Sequence, residues 1–187
     1  MRKLAVSLLF VLLVAVVASA GTVDVNFDDL PGDGLAVPQG YGGIDWNSNW
    51  TYYGDVQDPY NPHTPPNRVY TFDPNGAFSF VTPEIFDGAW FAGNAFATVQ
   101  FELFDPNGVL VWTSGMLDPS STPTFLDSGY SGLVKTVFVE SPSPDFYIMD
   151  DVTYRTPGGT TPEPSSLMLL GTGLLGVGGA IRRKLSS

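Results

Sequence analysis

The sequence predicts an all-β fold, an antiparallel two-sheet β-sandwich of jelly-roll-like winding, and three observations carry that expectation. Gly and Pro number 21 and 16 among 187 residues, and either one disrupts a helix from inside. Between them, apolar residues recur at every second position, the pattern of strands with one buried face. Aromatic residues make up 13% of the chain and charged residues 14%, whereas a disordered acidic chain is charge-rich and ring-poor. Many short strands with turns at regular spacing, in a stretch long enough for a real core, point to a sandwich.

The chain opens with MRKLAVSLLFVLLVAVVASA. Arg2 and Lys3 give a basic start, Leu4 to Val17 an apolar run, and Ala18-Ser19-Ala20 a small-residue cleavage site. These are the three parts of a secretory signal peptide, too short an apolar run for a stable span. Residues 1–20 are therefore expected to engage the Sec translocon and to be removed by signal peptidase after Ala20.

Residues 21–156 form the expected sandwich. Val23, Val25 and Phe27 alternate with Asp24 and Asn26. Short strands follow at Ile44–Trp46 and Trp50–Tyr53. The pentapeptide Phe-Asp-Pro-Asn-Gly occurs at 72–76 and again at 104–108. Pro presets φ at the first central turn position, Asn tolerates the second, and Gly takes the left-handed conformation that follows. Each copy is thus expected to close a hairpin: Arg68–Phe72 with Ala77–Val81, and Phe96–Phe104 with Val109–Thr113. Ile85–Phe91 and Leu133–Glu140 supply further strands. The last strand is expected to place Phe146, Ile148, Val152 and Tyr154 on one face.

Charge is unevenly distributed. The net formal charge is −11, but residues 21–161 hold only Arg68, Lys135 and Arg155 against 18 acidic residues, a net of −15. Such a surface excludes nucleic acid as a partner, since phosphate binding needs clustered Lys and Arg. With no Cys and one His, disulfides, thiolate metal sites, Cys nucleophiles and multi-histidine sites are excluded as well.

A linker, residues 157–161, leads to Pro162-Glu163-Pro164, then to an apolar stretch from Ser165 to Ile181, then to Arg182-Arg183-Lys184. As a helix the apolar stretch reaches about 25 Å, slightly short of a hydrocarbon core of about 30 Å. Transient membrane insertion suits it, with the basic cluster on the cytoplasmic side. Thr172, Gly176 and Ala180 would line a smooth stripe for another membrane helix. This order of parts resembles the PEP-CTERM sorting signal of Gram-negative bacteria. The resemblance implies that Pro162, Glu163 and Pro164 are the recognition motif and that Arg182, Arg183 and Lys184 are the stop signal. It also implies processing by an exosortase, a membrane-embedded cysteine protease or transpeptidase, and delivery to the cell surface or an extracellular polysaccharide matrix. The segments 26–31, 37–43 and 146–153 resemble the opening and closing of other exported domains with this signal, and bring no activity with them.

Two clusters inside the domain have chemistry worth testing. Tyr41, Trp46, Trp50, Tyr52, Tyr53 and Tyr60 are interleaved with Gly, Asn and Asp. Sugar faces stack on rings while short polar side chains take the hydroxyls, so Trp46, Trp50, Tyr52 and Tyr53 are candidates for glycan binding. The competing reading puts Trp46 and Trp50 in the core. Asp150, on a strict two-residue period, shares the face of Ile148 and Val152. A buried carboxylate needs donors or a cation. Either Asp150 accepts backbone N–H groups at a strand bulge, or it joins Asp28 and Asp29 in a structural Ca²⁺ site of oxygen ligands. No cofactor is otherwise required. His63, among three prolines, is expected to be a solvated loop residue. No nucleophile elbow, phosphate loop or metalloprotease helix occurs, so the expected product is an exported, non-catalytic protein.

Overall fold

The computed structural model describes residues 21–158; the expected signal peptide (1–20), most of the linker and the expected sorting helix lie outside the described residues. Eleven strands follow in order: β1 (Thr22–Val25), β2 (Leu35–Ala36), β3 (Ile44–Asp45), β4 (Thr51–Tyr53), β5 (Arg68–Tyr70), β6 (Asn75–Gly93), β7 (Gln100–Phe104), β8 (Leu110–Thr113), β9 (Thr124–Asp127), β10 (Val134–Glu140) and β11 (Tyr147–Arg155). Every pairing among them is antiparallel. Among the described residues no helix is long and apolar enough to cross a membrane.

The 19-residue β6 belongs to both sheets. Its first half pairs with β10 and β3, and β10 continues to β7 and β8. Its second half pairs with β11 and β9. Beyond β11 lie β1 and β5, then β4 and β2. The sequence expectation of separate strands at 77–81 and 85–91 is corrected here. The chain passes through Pro83 without leaving the extended state, and Val81 and Thr82 are exposed where it changes sheets. Pro is tolerated at such a corner because it sits outside the regular ladder.

The two Phe-Asp-Pro-Asn-Gly segments have different fates. In both, the Asp carboxylate accepts the backbone N–H two residues on: Asp73 from Asn75 at 3.0 Å and Asp105 from Asn107 at 2.8 Å. At 104–108 the chain does reverse, with Asp105 N–H donating to the Val109 carbonyl and Gly108 at φ +75°. At 72–76 no hairpin forms. β5 stays in one sheet with β4 and β11, while β6 starts in the other. Gly76 is required there by packing instead, since a Cβ would lie 2.7 Å from Thr71 and 3.0 Å from the Trp50 ring. Local turn chemistry is the same; the destination of the next strand decides.

The core between the sheets is built of rings. Phe27, Trp46, Trp50, Phe78, Phe80, Phe86, Phe91 and Phe101 are fully buried. Trp46 meets Phe27 edge-on at 5.2 Å and Trp50 at 6.2 Å. Their indole N–H groups find acceptors, Trp46 in the Tyr41 carbonyl and Trp50 in the Ala77 carbonyl, both at 3.0 Å. Polar handles satisfied in this way let large rings be buried without leaving an unpaired donor. Trp46→Ala is therefore expected to lower unfolding free energy by ~3–5 kcal/mol. Trp112→Ala, at a ring on edge strand β8 that is 43% exposed, should stay within ~0.5 kcal/mol. Urea unfolding midpoints of the two variants check this.

Candidate functional site

β11 carries the irregularity from which the site is built. Its register against β6 shifts between Asp150 and Thr153, and Asp151 has φ +44°. An extra residue in one strand reverses the facing of everything beyond it. Tyr147 and Met149 face the core before the bulge, Val152 and Tyr154 after it. Asp150 therefore does not enter the core with Val152, as a strict two-residue period requires. It lies on the opposite face of the sheet, the side of its partner Trp90.

That outer face is covered by the loop 54–67. Asp150 Oδ2 accepts the Thr64 backbone N–H at 2.9 Å, and Oδ1 accepts the Asp151 N–H at 2.9 Å. Asp151 Oδ1 accepts the Thr64 hydroxyl at 2.8 Å, and its Oδ2 is hydrogen-bonded to His63 Nδ1. The His63 ring stacks on Trp90 at 3.5 Å and 8°. His63 is thus no merely solvated loop residue, although 37% of its side chain is exposed. At the end of the loop Asn67 donates to the Phe27 and Leu30 carbonyls, and in its middle Asn61 donates to that of Ser121. Two consecutive carboxylates, turned to one side by the bulge, hold the loop on the sheet.

The three candidate Ca²⁺ ligands each have protein donors. Asp28 accepts the Asn67 N–H, Asp29 accepts the Tyr41 hydroxyl, and Asp150 has the donors just described. Among the described residues no group of three acidic or histidine side chains is placed to hold a metal. Asp150 accepts one backbone N–H from the bulge and one from the loop, which fits the first of the two sequence expectations for it.

The glycan candidates are redistributed. Trp46 and Trp50 are 0% and Tyr52 3% exposed, so none offers a face to a sugar; Tyr52 spends its hydroxyl on the Pro31 carbonyl at 2.6 Å. Tyr53, one position on, points the other way. It lies opposite Arg68 in the β4–β5 register, with the guanidinium carbon 5.5 Å from its ring centre. Around this pair opens a cleft of about 290 Å³. β5 supplies Arg68 and Tyr70, β11 supplies Tyr147 and Ile148, the covering loop supplies Gln57 and Tyr60, and Phe72 and Asp145 complete the lining. Tyr70, Phe72, Tyr147 and Arg68 are not among the candidates that the sequence suggests. The available signal is the alternation Arg68-Val69-Tyr70, which puts Arg and Tyr on one face once Val69 is inside.

Arg68 is 2% exposed, donates through Nη1 to the Tyr53 carbonyl at 3.3 Å, and leaves Nε without a partner. Burial lowers its pKa, while Asp33, Tyr53, Asp55 and Asp150 raise it. The Tyr147 hydroxyl is also buried without a partner, and burial raises its pKa, with Glu140 and Asp73 adding to the effect.

Residues 160–184 match the family model of the PEP-CTERM protein-sorting motif. The chain carries a PEP-CTERM sorting signal. No curated protein matches the sequence. Among solved structures, a DUF4465 family protein from Bacteroides caccae is 12% identical, covers 73% of this chain and 100% of its own, and has a TM-score of 0.47. A mutant of CBM29-2, a family 29 carbohydrate binding module, is 12% identical over 78% of this chain and 100% of its own, with a TM-score of 0.43. A different mutant of the same module, complexed with cellulohexaose, is 8% identical over 73% of this chain and 92% of its own, with a TM-score of 0.41.

Burial, then the neighbouring Asp151 charge, pushes the pKa of Asp150 from its ordinary 3.8 up to about 8, against the opposing pull of its two N–H donors. A folded-state pKa above the unfolded one means that the folded protein binds the extra proton. Stability from this group is complete below about pH 4 and is lost progressively as pH rises from there through about 8. Unfolding free energy measured across that window should fall with pH in the wild type, and fall less steeply in Asp150→Asn.

Proposed function

We propose that the protein is a non-catalytic component of the cell surface or of the extracellular polysaccharide matrix, sorted there by an exosortase. The observation that carries this reading is the PEP-CTERM motif at 160–184, placed after an acidic β-sandwich. In this scheme the Sec translocon exports the chain and signal peptidase cuts after Ala20. The Ser165–Ile181 segment then holds the precursor in the inner membrane with Arg182, Arg183 and Lys184 on the cytoplasmic side. Exosortase recognises Pro162, Glu163 and Pro164 and separates the sandwich from its anchor.

The non-catalytic part of the proposal rests on the acidic groups themselves. Asp150 and Asp151 are the buried carboxylate pair of the described residues, and all four of their oxygens bond to the protein. This pair is committed to holding the loop, which supports the non-catalytic reading for these two carboxylates.

Replacing Pro162, Glu163 and Pro164 with Ala in the native host should leave an inner-membrane precursor that keeps its Arg182–Ser187 tail. The wild type should yield a surface or extracellular product without it. Cell fractionation with mass spectrometry of the C-terminal peptide reads both outcomes. A wild-type product with an intact tail, residing in the inner membrane, contradicts the proposal.

A further inference from the structure

We infer that the cleft between β4, β5 and the 54–67 loop binds an uncharged pyranose unit of a polysaccharide. The inference goes beyond the sorting reading and is separable from it, because binding is read on purified protein and sorting on cell fractions.

The walls favour a sugar face. Tyr53, Tyr60 and Tyr70 are half-buried in the lining, and Phe72, also in the lining, is 68% exposed and edge-on to Tyr70 at 5.2 Å. The core has rings of its own, so these four are not needed to fill it. An apolar wall with a few polar groups is the composition of a ligand site, and the volume lies just below the usual range of roughly 300–1,000 Å³, room for a single sugar unit. A pyranose has a C–H face to lay on a ring and hydroxyls at its edge to meet polar groups.

One polar group of the lining is a cation without a carboxylate partner. Of the three cations in the described residues, Arg155 pairs with Asp87, and Lys135 donates to the Phe80 and Val81 carbonyls. Among the described residues Arg68 has no carboxylate within ion-pair distance, and its Nε is unpartnered, as is the buried Tyr147 hydroxyl. Buried polar atoms without partners are rare in folded proteins; Arg68 lines the cleft, whereas the Tyr147 side chain belongs to the core. The hydroxyls at a pyranose edge, which donate and accept, are complemented by the exposed Gln57 amide and Asp145 carboxylate of the lining.

Charge selects the class of sugar. Asp145 stands in the wall, and the charges of Asp33 and Asp55 act on both Tyr53 and Arg68. Against one Arg this surplus repels uronate and sulfate groups. An uncharged unit meets the donors without that repulsion.

The test is affinity gel electrophoresis of the full chain, purified in detergent, with xyloglucan, galactomannan or dextran in the gel and alginate as the charged comparison. At least one neutral polymer should retard the protein equally at low and high salt. Tyr70→Ala and Phe72→Ala should each weaken the retardation by about tenfold or more, whereas Tyr70→Phe and the distant Trp112→Ala should not. Phe72 lies exposed in a turn, so Phe72→Ala decides the matter even if Tyr70→Ala fails to fold. Retardation by none of the three neutral polymers, retardation by alginate alone, or unchanged retardation of Phe72→Ala overturns the inference.

Discussion

The Asp150–Asp151 bulge is the constraint on which the outer face of the molecule depends. One residue at φ +44° switches the core-facing set of β11 from Tyr147 and Met149 to Val152 and Tyr154. The same step turns two carboxylates out of the core and onto one loop. Neither side chain is tolerable there alone, because a buried carboxylate without donors costs several kcal/mol. Thr64 answers both, through its backbone N–H and its hydroxyl, and His63 adds its ring nitrogen while lying on Trp90. The loop so held carries Gln57 and Tyr60 into the cleft wall. Positive φ at a non-Gly residue is sterically unfavourable, and its persistence fits a position over-determined by the bonds around it.

Much of the core is legible in the sequence because it depends on local rules. Val25 and Phe27, and Val99, Phe101 and Leu103, are buried as their alternation requires. The second Phe-Asp-Pro-Asn-Gly turn closes its hairpin for reasons contained in five residues. The first has the same five residues and does something else, because β6 pairs with β10 and not with β5. Strand destination is a long-range property, and nothing within residues 72–76 encodes it.

The site is less legible, for a similar reason. A two-residue period assigns every residue of a strand to a face only while the strand is regular. At β11 the period breaks, and the simple alternation puts Asp150 on the wrong side by one residue. The aromatic segment 41–60 looks like a unit in sequence, but its rings divide by parity and by loop. Trp46, Trp50 and Tyr52 go inside, while Tyr53 and Tyr60 reach the cleft. His63 joins the outer face through Trp90, a contact between positions far apart in sequence. By contrast the C-terminal motif matched at 160–184 is recognisable in the sequence itself, since such a motif is linear and needs no fold to be recognised.

Hydrogen exchange of the 54–67 loop tests the organising role of the bulge most directly. In the wild type the Thr64 amide, bonded to Asp150, should be protected well above an exposed loop amide. Replacing Asp150 and Asp151 together with Ala should abolish that protection across the loop while the β7 and β10 amides keep theirs. Equal exchange of the loop in both proteins, with the strands intact, would contradict the account.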